Sequence, residues 1–117
     1  MMIDIGVNLA NNQYNNDLHQ VIKNALAVNV NTMIVTGTSI AQSRKALQLA
    51  QHYPQCLYAT AGIHPHDATS FNKDSINQLT MLLADKKAVA VGECGLDFNR
   101  NYSTHKEQLY CFEAQLE

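Results

Sequence analysis

At 117 residues the chain supports one modest domain with its own core, and 46% hydrophobic against 15% charged residues excludes a disordered or fibrous protein. The formal charge of −2 lacks the basic footprint of a protein that grips nucleic acid by charge alone. Any phosphate chemistry would therefore draw its positive charge from elsewhere, most simply from a metal ion.

The N-terminal "MMIDIGVNLA" has no basic n-region and is interrupted by Asp4, which argues against a signal peptide. No apolar run approaches the roughly 20 residues of a membrane helix. Cys56, Cys94 and Cys111 form no CxxC pair and leave an odd count, which predicts reduced thiols in a cytoplasmic protein.

Taken in chain order, the sequence reads as four strand-then-helix units. "MIDIGVN" (2–8) is a short β-rich run, and the asparagine-rich "NLANNQYNN" reads as a loop. A helix over 15–29 follows, with Leu18, Val21, Ile22, Ala25 and Leu26 on one face. "NTMIVTG" (31–37) is the second strand. Ser39 is placed to cap a helix in which Ala46, Leu49, Ala50 and Tyr53 share a face, ended by Pro54. "CLYATAG" (56–62) is the third strand, and Pro65 makes "IHPHD" a loop. Ile76, Leu79 and Leu83 mark a third amphipathic helix, and "AVAVGE" (88–93) is the fourth strand. Thr104 and Glu107 fit a capping box for a last helix, with Leu109, Phe112 and Leu116 predicted to line its buried face.

The strands are continuous apolar runs, the pattern of parallel strands covered on both faces. Strand-helix alternation leaves an open doubly wound sheet or a (β/α)8 barrel. No GxGxxG or GxxxxGK[ST] supports nucleotide binding at an open-sheet crevice. The unexpected polar residues Asn8, Thr36, His64 and Glu93 all fall at strand C-terminal ends, which converge at a barrel mouth. A barrel needs about 250 residues. Four units make half of one, and the expectation is an α/β chain holding the first half of a TIM-type barrel.

Three groups could carry chemistry. Glu93 ends an apolar strand, so it is either paired with a cation or bound to a metal. His64 and His66 lie two apart and project to one side of an extended segment, as ligands or phosphate partners, or as loop histidines bonded to backbone. In "LDFNRN", Arg100 offers a planar fork to phosphate and Asp97 could orient a water or a histidine, unless the two only pair with each other. His19, His52 and His105 read as surface residues, and Cys94 as a small buried thiol rather than a nucleophile.

Together, "DIGVNL", "GIHPHD" and "GECGLDFNRNYS" resemble the TatD family of metal-dependent deoxyribonucleases, over the whole chain but only the N-terminal half of that family's barrel. The resemblance implies a TIM-barrel hydrolase that cleaves DNA phosphodiesters, typically as a 3′-to-5′ exonuclease on single strands, with Mg²⁺ or a similar divalent ion. It makes Glu93 a metal ligand and places His64 at the scissile phosphate as a catalytic residue, with His66, Asp97 and Arg100 toward substrate. Many relatives carry H-x-H where this chain has Gly6 and Asn8. The family's further ligands, two histidines and an aspartate, belong to later strands, so the chain by itself is expected to have little nuclease activity. Two other readings stand beside this one: a barrel metallohydrolase of small phosphoesters or cyclic amides, and an inert truncated product.

Overall fold

A computed structural model describes all of residues 1–117 and contains the predicted alternation. The strands are β1 (Met2–Val7), β2 (Val30–Val35), β3 (Leu57–Ala61) and β4 (Ala88–Val91). The helices are α1 (Leu18–Ala27), α2 (Ile40–His52), α3 (Ser75–Leu83) and α4 (His105–Leu116). All neighbouring strands pair in parallel, in the order β1-β2-β3-β4. A consecutive order needs a helix crossover of the same hand at each step, which is the winding of a barrel and not of a sheet that reverses at a switch point.

One face of the sheet is buried, not two. Along β3, Leu57, Ala59 and Ala61 are buried while Tyr58 and Thr60 are half-buried. Met33 and Val35 of β2 alternate in the same sense and lie in register with Leu57 and Ala59. That face packs on Ile22 of α1 and on Ala46, Leu47 and Ala50 of α2 in the larger core cluster. Ala61, Ile63, Leu79 and Cys111 form the smaller one. Burying a side chain such as Leu57, fully inaccessible here, contributes about 1.5–3 kcal/mol.

The outer strands differ from the expectation: β1 is exposed along nearly its whole length, and so is most of β4. Helices on one face and two uncovered edge strands are the architecture of half a (β/α)8 barrel. The accessible surface, 7216 Å², also exceeds the roughly 6,300 Å² expected of a folded 13.0 kDa chain.

Caps behave as the sequence indicates. Ser39 accepts from Gln42 N–H at the start of α2, and Thr104 and Glu107 complete their capping box. Three local expectations are corrected. The segment after β1 is not merely a polar loop: Leu9 and Ala10 are buried in the core, and residues 12–14 make a 3-10 turn. Leu26 is exposed, on the last turn of α1 where it lines an open cavity with His19 and His52. The inward face of α4 is Gln108, Cys111 and Gln115, whereas Leu109 and Leu116 are exposed and Phe112 is half-buried. The reason is that α4 packs against strand-end loops, whose backbone groups require hydrogen-bonding partners rather than hydrocarbon.

Candidate active site at the strand C-termini

The C-terminal ends of β3 and β4 are drawn together by two glycines. A Cβ on Gly62 would lie 2.7 Å from the backbone carbon of Gly92, and Gly92 itself has φ +149°, a conformation other residues avoid. The Gly92–Glu93 peptide is cis. Beyond the strands, Glu93 N–H donates to Gly37 O (2.8 Å) and His64 N–H donates to Thr38 O (2.8 Å). The buried Ser43 hydroxyl donates to Gly62 O (3.2 Å) and accepts from Gly62 N–H (3.0 Å). These bonds position His64 and Glu93 at one mouth.

His64 caps the 3-10 turn Pro65–Ser70: its Nδ1 accepts the His66 N–H at 3.0 Å. A neutral His64 therefore carries its proton on Nε2, the tautomer assigned from this bond. Nε2 faces Glu93 Oε1 at 3.6 Å, too long for a hydrogen bond. The Glu93 side chain is 55% exposed, and its carboxylate has His64 as its ion-pair neighbour at a distance beyond hydrogen bonding. It is a charge held at the mouth with its coordination capacity unspent.

His66 is committed differently. Its Nε2 lies 2.6 Å from Asp97 Oδ2, and its ring meets that of His64 edge-on, with centroids 4.3 Å apart. The two histidines do converge, though through a turn rather than along an extended segment. The His66 bond first, and then the Arg100 and Asn99 N–H groups on Oδ1, hold the Asp97 carboxyl down at about 2. Arg100 Nε is 3.7 Å from Asp97 Oδ2, so the loop ion pair exists, yet the guanidinium side chain stays 61% exposed and able to reach outward. Asp97 thus orients His66, one of the roles open to it from the sequence.

The residues that hold this arrangement include several that sequence reasoning missed. Gln108 accepts from Asp97 N–H (2.7 Å) and donates to Asp97 O and Ser103 O (3.0 and 2.9 Å). Gln115 accepts from Ile63 N–H (2.8 Å) and donates to Ile63 O (3.1 Å), the residue before His64. Ser103 donates to His66 O at 3.1 Å and accepts from Thr69 N–H at 3.1 Å. The available signal was the polar stripe Gln108, Cys111, Gln115, spaced three and four along α4.

The remaining candidates carry less. Asn8 is exposed. Burial, and then the charge of Glu93, push the Cys94 thiol up, away from a nucleophilic thiolate. A cavity of about 680 Å³ lies at the opposite end of the strands beside His19, His52 and Tyr53, remote from the strand C-termini.

No three His, Cys, Asp or Glu side chains converge as a metal cage. With the Nε2 of a neutral His64 protonated, Glu93 is the open donor of this pair. A single open carboxylate does not suit a closed tetrahedral centre, but it fits a largely hydrated, oxygen-seeking divalent cation.

A family model described as TatD related DNase matches residues 3–117. The chain is 53% identical over 115 residues to the 3′-5′ ssDNA/RNA exonuclease TatD of Edwardsiella piscicida, covering 98% of the chain and 44% of that protein. It is 47% identical over 116 residues to the protein of the same name from Salmonella typhimurium, covering 99% and 44%. Among solved structures, a TatD family hydrolase from Entamoeba histolytica superposes with a TM-score of 0.89 at 26% identity, covering 97% of this chain and 44% of that one. A TatD homologue from Escherichia coli does so with a TM-score of 0.85 at 30% identity, covering 98% and 45%. The chain spans less than half the length of the relatives it matches.

Proposed function

The chain belongs to the TatD-related DNase family, and from that premise we propose that residues 1–117 form the N-terminal half of a TatD-like (β/α)8 domain that hydrolyses DNA phosphodiester bonds. The observation that carries this reading is the unspent Glu93 carboxylate at the strand C-termini, 3.6 Å from a histidine whose proton points toward it. The activity is that of a metal-dependent 3′-to-5′ exonuclease on single strands, the metal being Mg²⁺. Free thiols at Cys56, Cys94 and Cys111 support a reducing, cytoplasmic setting, and no helix is long and apolar enough to cross a membrane.

Glu93 would hold the ion, which when bound polarises a phosphoryl oxygen and lowers the pKa of a coordinated water. The other roles belong to the chain's own atoms. His64 Nε2–H donates to an oxygen of the scissile phosphate, oriented by the bond on its Nδ1. Asp97 fixes His66 beside His64, and the exposed Arg100 fork grips a neighbouring phosphate.

A chimera of this chain with the remaining half of the Edwardsiella relative tests the reading, using 3′-labelled single-stranded DNA and Mg²⁺. Residues that merely support a metal ligand already matter by about 10- to 100-fold. Glu93→Gln is therefore expected to lower turnover by more than that while leaving the fold unchanged by circular dichroism. Equal turnover of Glu93→Gln and parent would overturn the assignment. The 117-residue chain alone is expected to show little turnover, and robust hydrolysis by it would refute the incompleteness of its ligand set.

A further inference from the structure

The loop between β4 and α4 carries two exposed aromatic rings that the roles above leave unused. Phe98 is 46% and Tyr102 69% exposed. Each is backed by an imidazole. Phe98 lies face-on against His105, centroids 4.0 Å apart at 27°, and Tyr102 meets His66 edge-on at 4.7 Å.

The loop that presents them is built to hold still. Asn101 Nδ2 donates to Phe98 O (3.0 Å), its Oδ1 bonds His105 Nε2 (2.9 Å), and Gln108 clamps Asp97 from within the core. A rigid loop that displays two rings to water keeps them available to a ligand without an ordering cost at binding.

Charge narrows the ligand class. Although the whole chain is acidic, residues 98–106 ("FNRNYSTHK") contain Arg100, His105 and Lys106 and no carboxylate. The flanking Asp97 and Glu107 are both spent, on His66 and on the Thr104 cap. Aromatic faces interleaved with cations are the surface on which single-stranded nucleic acid lies: bases stack on rings while the backbone follows the positive charge. Tyr102 also connects to the mouth through successive contacts, Tyr102 to His66, His66 to His64, and His64 to Glu93.

We propose that Phe98 and Tyr102 form a base-stacking platform for single-stranded nucleic acid beside the Glu93 mouth. This rests on the nuclease reading and adds the groups that seat the unpaired bases. Stacking uses the face of any base and does not touch the sugar 2′-hydroxyl, so the platform accepts DNA and RNA alike and shows little sequence preference.

The test is fluorescence anisotropy of the 117-residue chain with a labelled ten-nucleotide oligothymidylate at low salt in EDTA, which prevents hydrolysis. Tyr102→Ala and Phe98→Ala are each expected to weaken binding roughly tenfold, as loss of one stacked base does, while Tyr102→Phe binds like the parent. An abasic oligonucleotide of the same length should bind the parent more weakly and be insensitive to Tyr102→Ala. The comparison of abasic with normal strands on the parent does not depend on the alanine variants folding. The oligouridylate should bind as the oligothymidylate does. No measurable binding, equal affinity for abasic and normal strands, or Tyr102→Phe behaving as Tyr102→Ala would each overturn the platform. The nuclease reading is judged separately by the Glu93→Gln chimera, so stacking can fail while hydrolysis stands, and the reverse.

Discussion

Gln115→Ala measures which side of α4 faces the protein. The amide side chain satisfies both the N–H and the C=O of Ile63, a residue only 1% exposed. Removing it leaves two buried backbone groups without partners, at about 1–3 kcal/mol each, so the expected loss is about 2–6 kcal/mol. Against a total stability on the order of 5–15 kcal/mol this is a large fraction. Urea unfolding followed by circular dichroism reads it directly. With a slope of about 1–3 kcal/mol/M, the midpoint should fall by on the order of 2 M, with the slope unchanged. The control is the adjacent position: Leu116 is 66% exposed, so Leu116→Ala should stay within about 0.5 kcal/mol. A larger effect at Leu116 than at Gln115 would refute the inward polar face and restore the apolar face read from the sequence.

Two further outcomes follow from the site. Gly62→Ala places a methyl 2.7 Å from the Gly92 backbone, so the variant should unfold at lower denaturant than the parent and, in the chimera, lose turnover because Glu93 moves with Gly92. The Asp97 carboxyl, held at about 2 rather than 3.8, contributes stability that is fully present above about pH 4 and is lost as pH falls through about 2. Carboxyl carbon NMR should record that low midpoint in the parent and a clear rise in His66→Ala, with part of the depression surviving through the Asn99 and Arg100 N–H groups. An unchanged midpoint in His66→Ala would refute the His66 bond as its leading cause.

Much of the architecture was legible because it rests on local signals. Apolar runs, Ser39, Pro54 and the Thr104–Glu107 box each act within a few residues, and each element formed close to where they indicate. The convergence of His64 with Glu93 was legible as well, since strand ends meet in any parallel βα winding. What stayed hidden is set by partners distant in sequence. Whether β1 and β4 are covered depends on what lies beside the edge, which a hydrophobic run cannot state. The side of α4 that turns inward is chosen by the orphan groups of Ile63 and Asp97, so glutamines are buried while leucines are not. The His64 tautomer likewise comes from a single bond to His66 N–H that spacing alone does not reveal.

The glutamine clamps also impose an order in time. Gln115 reaches back 52 residues to Ile63, and Gln108 holds the backbone of Asp97. Chains are made from the N-terminus, and contacts of long sequence separation close late. On the ribosome, β1 to β3 with α1 and α2 can gather their core while the backbone at Ile63 still bonds to water. The mouth acquires its geometry only when α4 has emerged and docked. The backbone at the mouth is thereby held by an element that follows its scaffold in the chain.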